Sequence, residues 1–357
     1  MKKIKNHLRL IGENTPTEQP NQMDLFCNLL CNNEDEREKL SNTIDVWDSI
    51  SQYSIPVSEM NRLRTNNFLP SIEFDHIHKN QNYVIKISPA LVEDDDGIER
   101  AYYPSSNEQL VEMVLRKIAS ENNGSGFIDT KNQLLGVYFT IYQIKQELKL
   151  RKKTRSHSEI IKSLKILSKS NIEISMANGN ALTSSTYLPS LSAISKESYR
   201  TDIKARWVAT FHPLVMQSIN LLTYRQHDYD KFMRLKTDLS RWLQLRLSQN
   251  YTQASIGNPY KIKLSTIERD SKMIYVGGNY EKIRKVVRCL EELKTMNVIM
   301  GYTREDTVNS SRLITDILFT LEPHIDFIKV QKAANKRNII NLEIVNKTKH
   351  VMNLKSM

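Results

Sequence analysis

The sequence is poor in cysteine and has no long apolar run. Cys27, Cys31 and Cys289 are its only cysteines among 357 residues. An odd count with a single C-x₃-C pair predicts neither a disulfide framework nor a zinc site, and it suits a reducing compartment. No segment approaches the roughly 18 apolar residues of a spanning helix, and the basic start is followed by no apolar core of a signal peptide. We therefore expect a cytoplasmic protein without a membrane segment.

Motifs for nucleotide or metal chemistry are also missing. Residues 277–279 read Gly-Gly-Asn and lack the Gly-Lys-Ser/Thr ending of a phosphate-binding loop, which favours a simple turn over ATP hydrolysis. The acidic run at 93–97 starts like a calcium loop but lacks the spaced ligands and closing Glu of an EF-hand. A solvated turn is expected there. The sequence predicts no cofactor and no metal ion.

Two histidines suggest one catalytic alternative. His76 and His78 flank an apolar residue and could place two imidazoles on one side of a strand to hold a divalent metal, as in nickases that attack DNA with tyrosine. The following Lys-Asn-Gln-Asn does not continue a strand, so ordinary surface histidines and no catalytic residues are favoured. The candidate tyrosines are Tyr102, Tyr103, Tyr138 and Tyr142. Of these, Tyr138 and Tyr142 fit an apolar core.

The charge balance is strongly basic. Lys and Arg number 51 against 40 Asp and Glu, which gives a formal net charge of +11. This excess favours an anionic partner, because cations that neutralise phosphates release condensed counterions. A membrane surface is also anionic, but an amphipathic anchor needs bulky apolar residues on its opposite face, and here those residues are committed to cores. We expect a nucleic acid as the partner and no membrane.

One helix-then-strand pattern occurs twice along the chain. Ile160 and Val286 lie 126 positions apart, and each opens an apolar helix face followed by Asn and a β-like run. Such a matched pair is the signature of a duplicated module. The aligned positions are Ile160, Ile161, Leu164, Leu167, Asn171, Ile172 and Ile174 in one copy and Val286, Val287, Leu290, Leu293, Asn297, Val298 and Met300 in the other.

The correspondence extends to both flanks of the copies. Thr140 and Ser265 each follow an apolar residue and can cap a short helix. At Pro213 and Pro323 the offset has fallen to 110 positions, which a shorter loop in the second copy explains. Three corresponding pieces in the same order argue against coincidence.

The order of pieces predicts a winged helix-turn-helix in the first copy. A leading helix should bury apolar positions within 110–118, spaced as one face of a 3.6-residue period. A short strand at 127–128, a capped helix from Thr140 and a longer helix from about 158 to 170 should follow. The last piece should be a hairpin of 172–176 with 206–211, joined by a long polar wing.

The second copy predicts the same order. The leading helix should bury apolar positions within 232–243. The later pieces should be a strand at 260–264, a helix capped by Ser265, a longer helix at 281–296, and a hairpin of 298–302 with 313–321.

The predicted fold class is α+β, with tandem winged helix-turn-helix domains and a flexible N-terminal arm. Residues 1–70 are polar, Pro-broken and charged in patches, so they are expected to form the arm. The first domain should span 71–222, including a preceding β element at 72–87, and the second 223–330. A basic tail, 331–357, should carry a strand-like segment at 339–345.

Cations concentrate on the elements that this fold turns toward DNA. The longer helix offers its polar face to the major groove, and the wing reaches the backbone or minor groove. Residues 149–169 carry eight Lys and Arg against one acid. A solvated face is the alternative for any charge run, but the position of these runs favours DNA.

The candidate DNA-binding residues divide into two groups. The longer helices would read guanine edges, and the basic loop and wing would contact mainly phosphates. The helix candidates are Lys162, Lys165, Lys282, Arg284, Lys285 and Arg288; the loop and wing candidates are Arg151, Lys152, Lys153, Arg155, Ser156, Arg304 and Arg312.

Residues 85–325 resemble plasmid replication initiators with tandem winged helices, of the RepA/TrfA-like group. The resemblance rests on Ile87-Ser88-Pro89-Ala90, on LVEMVLRKIA at 110–119, on FTIYQI at 139–144, and on SEIIKSLKILSKSNIEI at 158–174. It implies binding of double-stranded origin repeats, melting of an adjacent AT-rich region, and recruitment of the host initiator and replicative helicase in a bacterial cytoplasm. It also implies self-association as a dimer.

The expected function is therefore non-enzymatic origin binding. The first alternative is a winged-helix transcriptional regulator, and the second is the DNA-nicking enzyme considered above. Regulators of this type generally carry one winged helix with a ligand or oligomerisation domain, whereas here the duplication occupies most of the chain.

Overall fold

The computed structural model describes residues 22–129, 131, 134–195, 198–274 and 277–355, with side chains up to 347. These residues form a mixed α and β structure. Its first elements are α1 Gln22–Cys27, α2 Glu34–Glu38, β1 Leu40–Ile44, α3 Asp45–Ser49, α4 Val57–Leu63, β2 Ile72–His78, β3 Gln81–Ser88, β4 Ala90–Glu93 and β5 Glu99–Tyr102.

The next elements contain the first copy of the repeated pattern, and we call them the first unit. They are α5 Ser106–Ala119, β6 Gly126–Asp129, β7 Leu134–Phe139, α6 Ile141–Leu150, α7 His157–Lys169, β8 Asn171–Met176, β9 Leu182–Thr186, β10 Ser190–Ile194 and β11 Arg206–Thr210.

Three elements link this unit to the second copy, and a long helix ends the described chain. The linking elements are α8 Pro213–Asn220, β12 Tyr224–Asp228 and α9 Tyr229–Arg234. The second unit and the last helix are α10 Asp238–Asn250, β13 Tyr260–Lys263, α11 Leu264–Ser271, α12 Asn279–Thr295, β14 Ile299–Val308, β15 Ile314–Pro323 and α13 Ile325–Lys355.

Reciprocal caps explain where the helices of the first unit begin. Thr140 Oγ1 accepts a hydrogen bond from Gln143 N at 3.2 Å, and Gln143 Oε1 accepts one from Thr140 N at 2.8 Å. Ser156 and Glu159 repeat this arrangement at α7, with distances of 3.1 and 2.6 Å. The apolar face predicted for α5 is buried, as expected. Local sequence therefore places these helices correctly.

The hairpin predicted from 172–176 and 206–211 is wrong. β8 pairs with β3 and β9, whereas β11 pairs with β7 and β10 in a different sheet. Strand β3 matches β8 in its apolar residues, because Ile85 and Ile87 lie opposite Ile174 and Ile172. All four side chains are at most 5% exposed. The long polar segment after β8 therefore crosses to the second sheet.

The tyrosines expected in the first core lie outside it. Tyr138 and Tyr142 are 55% and 49% exposed, while Phe139 between them is buried. In a strand successive side chains point to opposite faces, so Phe139 takes the inward position and Tyr138 the outward one.

The second unit follows its predicted order with two differences. β13, α11, α12 and the β14–β15 hairpin lie where expected, and β13 also pairs with β15. The leading helix is split, because α9 ends at Arg234 and Thr237 caps a new helix by accepting a hydrogen bond from Ser240 N. Ser265 does not cap α11: its N and Oγ donate to the Asp316 carboxylate of β15 at 3.0 and 2.7 Å.

Residues 22–70 are part of the folded structure. Phe26, Ile44 and Trp47 are fully buried in the first hydrophobic core. Strand β1 pairs antiparallel with β12, so that Leu40 lies opposite Asp228. The expectation of a flexible arm does not hold for this segment, because a few large apolar residues anchor an otherwise polar sequence. Residues 1–21 lie outside the described residues.

The C-terminal segment is helical. α13 includes 339–345, so the strand-like reading of that segment is wrong. Arg337 is 4% exposed and donates to Asn42 Oδ1 at 2.6 Å and to the carbonyl oxygens of Leu25 and Phe26 at 2.9 and 3.0 Å. The helix therefore fastens the N-terminal segment to the end of the chain. Among the described helices, none combines the length and apolarity that crossing a bilayer requires.

Candidate nucleic-acid interface

Helices α11 and α12 follow one another in the second unit. Lys272 ends α11 with φ 56°, and Gly277 has φ 106° just before Gly278, the N-cap of α12. A Cβ on Gly277 would lie 3.0 Å from Glu281 Cβ, so this close approach favours glycine. These residues set where α11 ends and where α12 begins.

The core and the start of α10 fix the orientation of α12. Val286, Leu290 and Leu293 have no exposed surface. Glu292, on the same helix, accepts hydrogen bonds from Thr237 Oγ1 at 3.0 Å and Ser240 Oγ at 2.6 Å. Burial raises the pKa of Glu292, but these hydrogen bonds and those from backbone N–H groups lower it more, and the net shift is downward. An ionised carboxylate thus holds α12 against α10.

The outward face of α12 carries cations. Lys285 and Arg288 are exposed and form no ion pair with any described residue. Arg284 is 68% exposed and pairs with Glu281 at 3.0 Å. Lys282 is less accessible, because Glu268 of α11 pairs with it. Positive charge therefore faces solvent along the first half of this helix.

The β14–β15 hairpin extends beside α12. Arg304 is exposed on β14 and pairs with Asp306 at 2.5 Å, while Arg312 is exposed in the turn with φ 60°. Asn279 Nδ2 donates to Ile314 O at 3.0 Å, which ties the start of α12 to the hairpin. The hairpin that bears these two cations is thus attached to the start of α12.

The corresponding cations of the first unit are more engaged. Lys162 of α7 pairs with Asp94 at 2.5 Å and lies 4.1 Å from the centre of the Tyr102 ring. Lys169 donates to Leu91 O at 3.1 Å. Lys165 is partly buried on the same stripe of the helix. The β4–β5 hairpin therefore covers one edge of the α7 polar face.

The acidic run at 93–97 is more than a solvated turn. Asp94 accepts hydrogen bonds from Arg100 at 2.7 Å and from the Tyr102 hydroxyl at 2.6 Å, in addition to its contact with Lys162. Burial raises the pKa of Asp94, but the hydrogen bonds from these three groups lower it more. Asp94 is thus an ionised counterion for α7.

Most of the basic loop at 151–156 holds structure together. Arg151 is 3% exposed and pairs with Asp230 at 2.9 Å, so its guanidinium is closed to an external phosphate. Lys153 donates to Leu235 O at 2.8 Å, and Arg155 donates to Asn107 Oδ1. Ser156 caps α7 as described above. Lys152 is the exposed cation among these candidates.

His76 and His78 are buried, not surface, histidines. Each is 6% exposed, and they line a cavity of about 70 Å³ between β2, α3 and α10. His76 shares a hydrogen bond with Ser49 Oγ at 2.9 Å, and His78 contacts Asp45 at 3.0 Å. Burial lowers the pKa of His76 to about 4. Both imidazoles help to pack β2 and α3 against α10 of the second unit.

Sequence reasoning missed two residues at this surface. The sequence predicts only a solvated turn around Asp94, because the contact of Asp94 with Lys162 joins residues far apart in the chain. Tyr280 is not among the candidates predicted from sequence, although it precedes Arg284 by four positions and Arg288 by eight, a helical spacing visible in the sequence. It is 78% exposed in the first turn of α12.

No protein-family model matches the sequence, and no curated protein sequence matches it. Solved structures similar to this chain include domains 2 and 3 of RctB, at 12% identity, a TM-score of 0.48, and coverage of 78% of this chain and 97% of that one. A second structure of RctB domains 2–3 has 12% identity and a TM-score of 0.43, and covers 73% and 94%.

A protein described as an initiator is also among the similar structures. The Pi initiator protein in complex with iteron DNA has 13% identity and a TM-score of 0.40, with coverage of 62% of this chain and 95% of that one. Likeness at this level does not assign a function. A proposal for the function therefore rests on the charge and exposure of α12 and its hairpin.

Proposed function

We propose that this protein is a non-enzymatic, sequence-specific binder of double-stranded DNA whose two units are winged helices. The observation that carries the proposal is the outward face of α12, where Arg284, Lys285 and Arg288 are exposed beside a hairpin that bears Arg304 and Arg312. In helix-turn-helix proteins the second helix enters the major groove, and Arg or Lys pairs with guanine O6 and N7.

The two units contribute unequally to this binding. α12 supplies the base-reading cations Lys285 and Arg288, while Arg304 and Arg312 contact the phosphate backbone. In the first unit Lys152 is exposed and Lys165 is partly exposed, whereas Lys162 is paired and Arg151 is buried. Two winged helices in one chain can occupy successive major grooves, about one helical turn apart.

The DNA target we propose is a set of origin repeats of a plasmid-type replicon. Support comes from the initiator resemblance of residues 85–325 in the sequence. Origin opening, recruitment of the host initiator and helicase, and self-association as a dimer belong to the same proposal. The bacterial cytoplasm, where plasmid DNA is located, is the proposed site of action.

The affinity of protein variants for a duplex selected from a random library tests the DNA-reading role of α12. Lys285→Ala and Arg288→Ala should each weaken binding about 5- to 100-fold and relax the selected sequence, because each removes a contact to a base. Electrophoretic mobility shift at fixed salt measures the change. Wild-type affinity should fall steeply with added salt.

Lys294→Ala is the matched control. Lys294 is exposed on the same helix but lies about 14 Å along the axis from Lys285, as nine residues of α-helix rise that far. This variant should keep the selected sequence. Equal losses in all three variants, or unchanged affinity in Lys285→Ala and Arg288→Ala, would contradict the assignment of α12 as the reading helix.

A replication assay separates an initiator from a transcriptional regulator. The gene and its flanking DNA are placed on a circle that cannot otherwise replicate, and retention of the circle is scored. An initiator supports retention, and Lys285→Ala should reduce it along with DNA binding. A regulator would bind DNA and give no retained circles.

A further inference from the structure

We propose that Tyr280 reads the C5-methyl group of a thymine in the major groove. This inference rests on the proposed DNA-binding function and adds a specificity-determining residue to it. Tyr280 lies in the first turn of α12, and the N-terminal residues of a recognition helix are those that contact base edges.

The exposure of Tyr280 sets it apart from the other tyrosines. At 78% it is the most exposed tyrosine in the described residues, ahead of Tyr138 at 55% and Tyr142 at 49%. Single exposed apolar side chains are common on protein surfaces. Tyr280 differs in lying on the same helix stripe as Arg284 and Arg288, one and two helical turns along. A surface that desolvates those guanidinium groups against DNA would cover the ring as well.

The backbone beneath Tyr280 is held on both sides. The preceding residue, Asn279, donates to Ile314 O of the hairpin at 3.0 Å. Two residues later, Lys282 pairs with Glu268 of α11. A ring on so constrained a turn loses little conformational entropy on binding, since only its own side-chain rotations remain to be fixed.

The chemistry of the ring favours thymine over the other bases. In the major groove thymine presents O4 and a C5-methyl group, and the methyl is the apolar feature by which it differs from cytosine. The neighbouring cations suit guanine O6 and N7, which leaves the aromatic ring as the apolar reader on this stripe. A phenol ring packed against the methyl removes apolar surface of both partners from water.

Thymine-to-deoxyuridine replacement in the selected duplex tests the contact, because it removes only the methyl group. Replacement at one or two positions should lower the affinity of the wild-type protein about fourfold, which is the effect of burying one methyl-sized group. Tyr280→Phe should keep this loss, since it keeps the ring. Tyr280→Ala should bind the thymine duplex more weakly and show no further loss with deoxyuridine at those positions. All proteins are measured at one salt concentration, low enough for the weakest to bind.

Tyr142→Ala is the control for removing an exposed tyrosine, and it should retain the full deoxyuridine effect. The inference is overturned if no position responds in wild type, if Tyr280→Ala responds as wild type does, or if Tyr280→Phe loses the response. Failure of wild type to select any duplex would overturn the proposed function itself. A selected duplex that responds to Lys285→Ala but not to methyl removal would overturn the Tyr280 contact alone.

Discussion

Arg116 joins the N-terminal segment to the first core through buried charge. Its guanidinium donates to the two carboxylate oxygens of Asp48 at 2.7 and 2.8 Å, and both side chains are at most 4% exposed. Glu112, one turn away on α5, accepts from the Trp47 indole at 2.8 Å and from the Tyr53 hydroxyl. Such a pair stabilises little against an apolar replacement, but breaking it leaves an unpaired buried charge.

Asp48→Ala should therefore destabilise the protein strongly. We expect a loss of about 3 to 5 kcal/mol in the free energy of unfolding, because Arg116 would stay buried without its main partner. Denaturant unfolding followed by circular dichroism measures it. Asp35→Ala, which removes an exposed carboxylate from α2, should stay within about 0.5 kcal/mol of wild type. Similar values for both variants would show that Asp48 and Arg116 are not a buried pair.

Helices α7 and α12 occupy equivalent places in the two copies but meet different surroundings. α12 leaves Lys285 and Arg288 open to solvent, whereas Lys162 of α7 is neutralised by Asp94. In the proposed complex the acid competes with DNA for this cation. The two helices therefore share an apolar pattern but differ in how far their cations are exposed.

Asp94→Asn should strengthen DNA binding. Freeing Lys162 and removing a negative charge beside the phosphates should tighten binding about two- to fivefold. The salt dependence of the affinity should steepen, since one more cation releases counterions. Fluorescence anisotropy over a salt series gives both quantities.

Asp95→Asn makes the same charge change at a neighbouring exposed position of the same turn. It should alter affinity less than Asp94→Asn and leave Lys162 paired. If the two variants behave alike, the effect comes from net charge alone, and α7 is not held back by Asp94.

Helix positions could be predicted from sequence, whereas strand partners could not. The spacing of apolar residues within a few turns predicts α6 and α12. The N-terminal cap formed by Thr140 and Gln143 also marks where α6 begins. β8 pairs with β3 and not with β11, because apolar residues of β3 lie opposite those of β8. A local sequence pattern does not show which distant strand will supply such residues. The α12 cations were predicted for the same local reason, whereas the burial of Arg151 depends on Asp230, 79 positions away.

At the scale of the whole molecule, the two units are joined by the ends of the described chain. β1 pairs with β12, and Gln249 of α10 donates to the carbonyl oxygens of Ile44 and Asp45 at 2.9 and 3.0 Å. Arg337 of α13 closes over the same N-terminal segment. These contacts predict that the two units unfold together.

Stability should fall as the solution becomes acidic. Burial lowers the pKa of His76 to about 4 and those of His212 and His227 to about 3, so all three stay neutral in the folded protein at pH 5. In the unfolded chain a histidine binds a proton below about pH 6.5. The unfolded state therefore takes up more protons, and stability is lost as pH falls through that value. Each histidine should cost roughly 2 kcal/mol between pH 7 and 5.

His227→Phe tests this linkage. Both ring nitrogens of His227 lack a hydrogen-bond partner among the described residues, and the ring packs edge-on against Phe232. Phe should fit without stranding a polar neighbour. Chemical unfolding at pH 7 and 5 should show a smaller pH effect in the variant than in wild type. An equal effect would mean that His227 does not titrate as inferred.

The pairing of β1 with β12 also constrains how the protein is made. Residues 40–44 leave the ribosome early, but the strand that completes them lies roughly 180 positions later. At about 5 to 20 residues per second, that strand follows after roughly 10 to 35 s. During this interval the nascent chain carries Ile44 without Tyr224, the residue that lies opposite it in the paired strand. Chaperone dependence should therefore be greatest for nascent chains that end before residue 228.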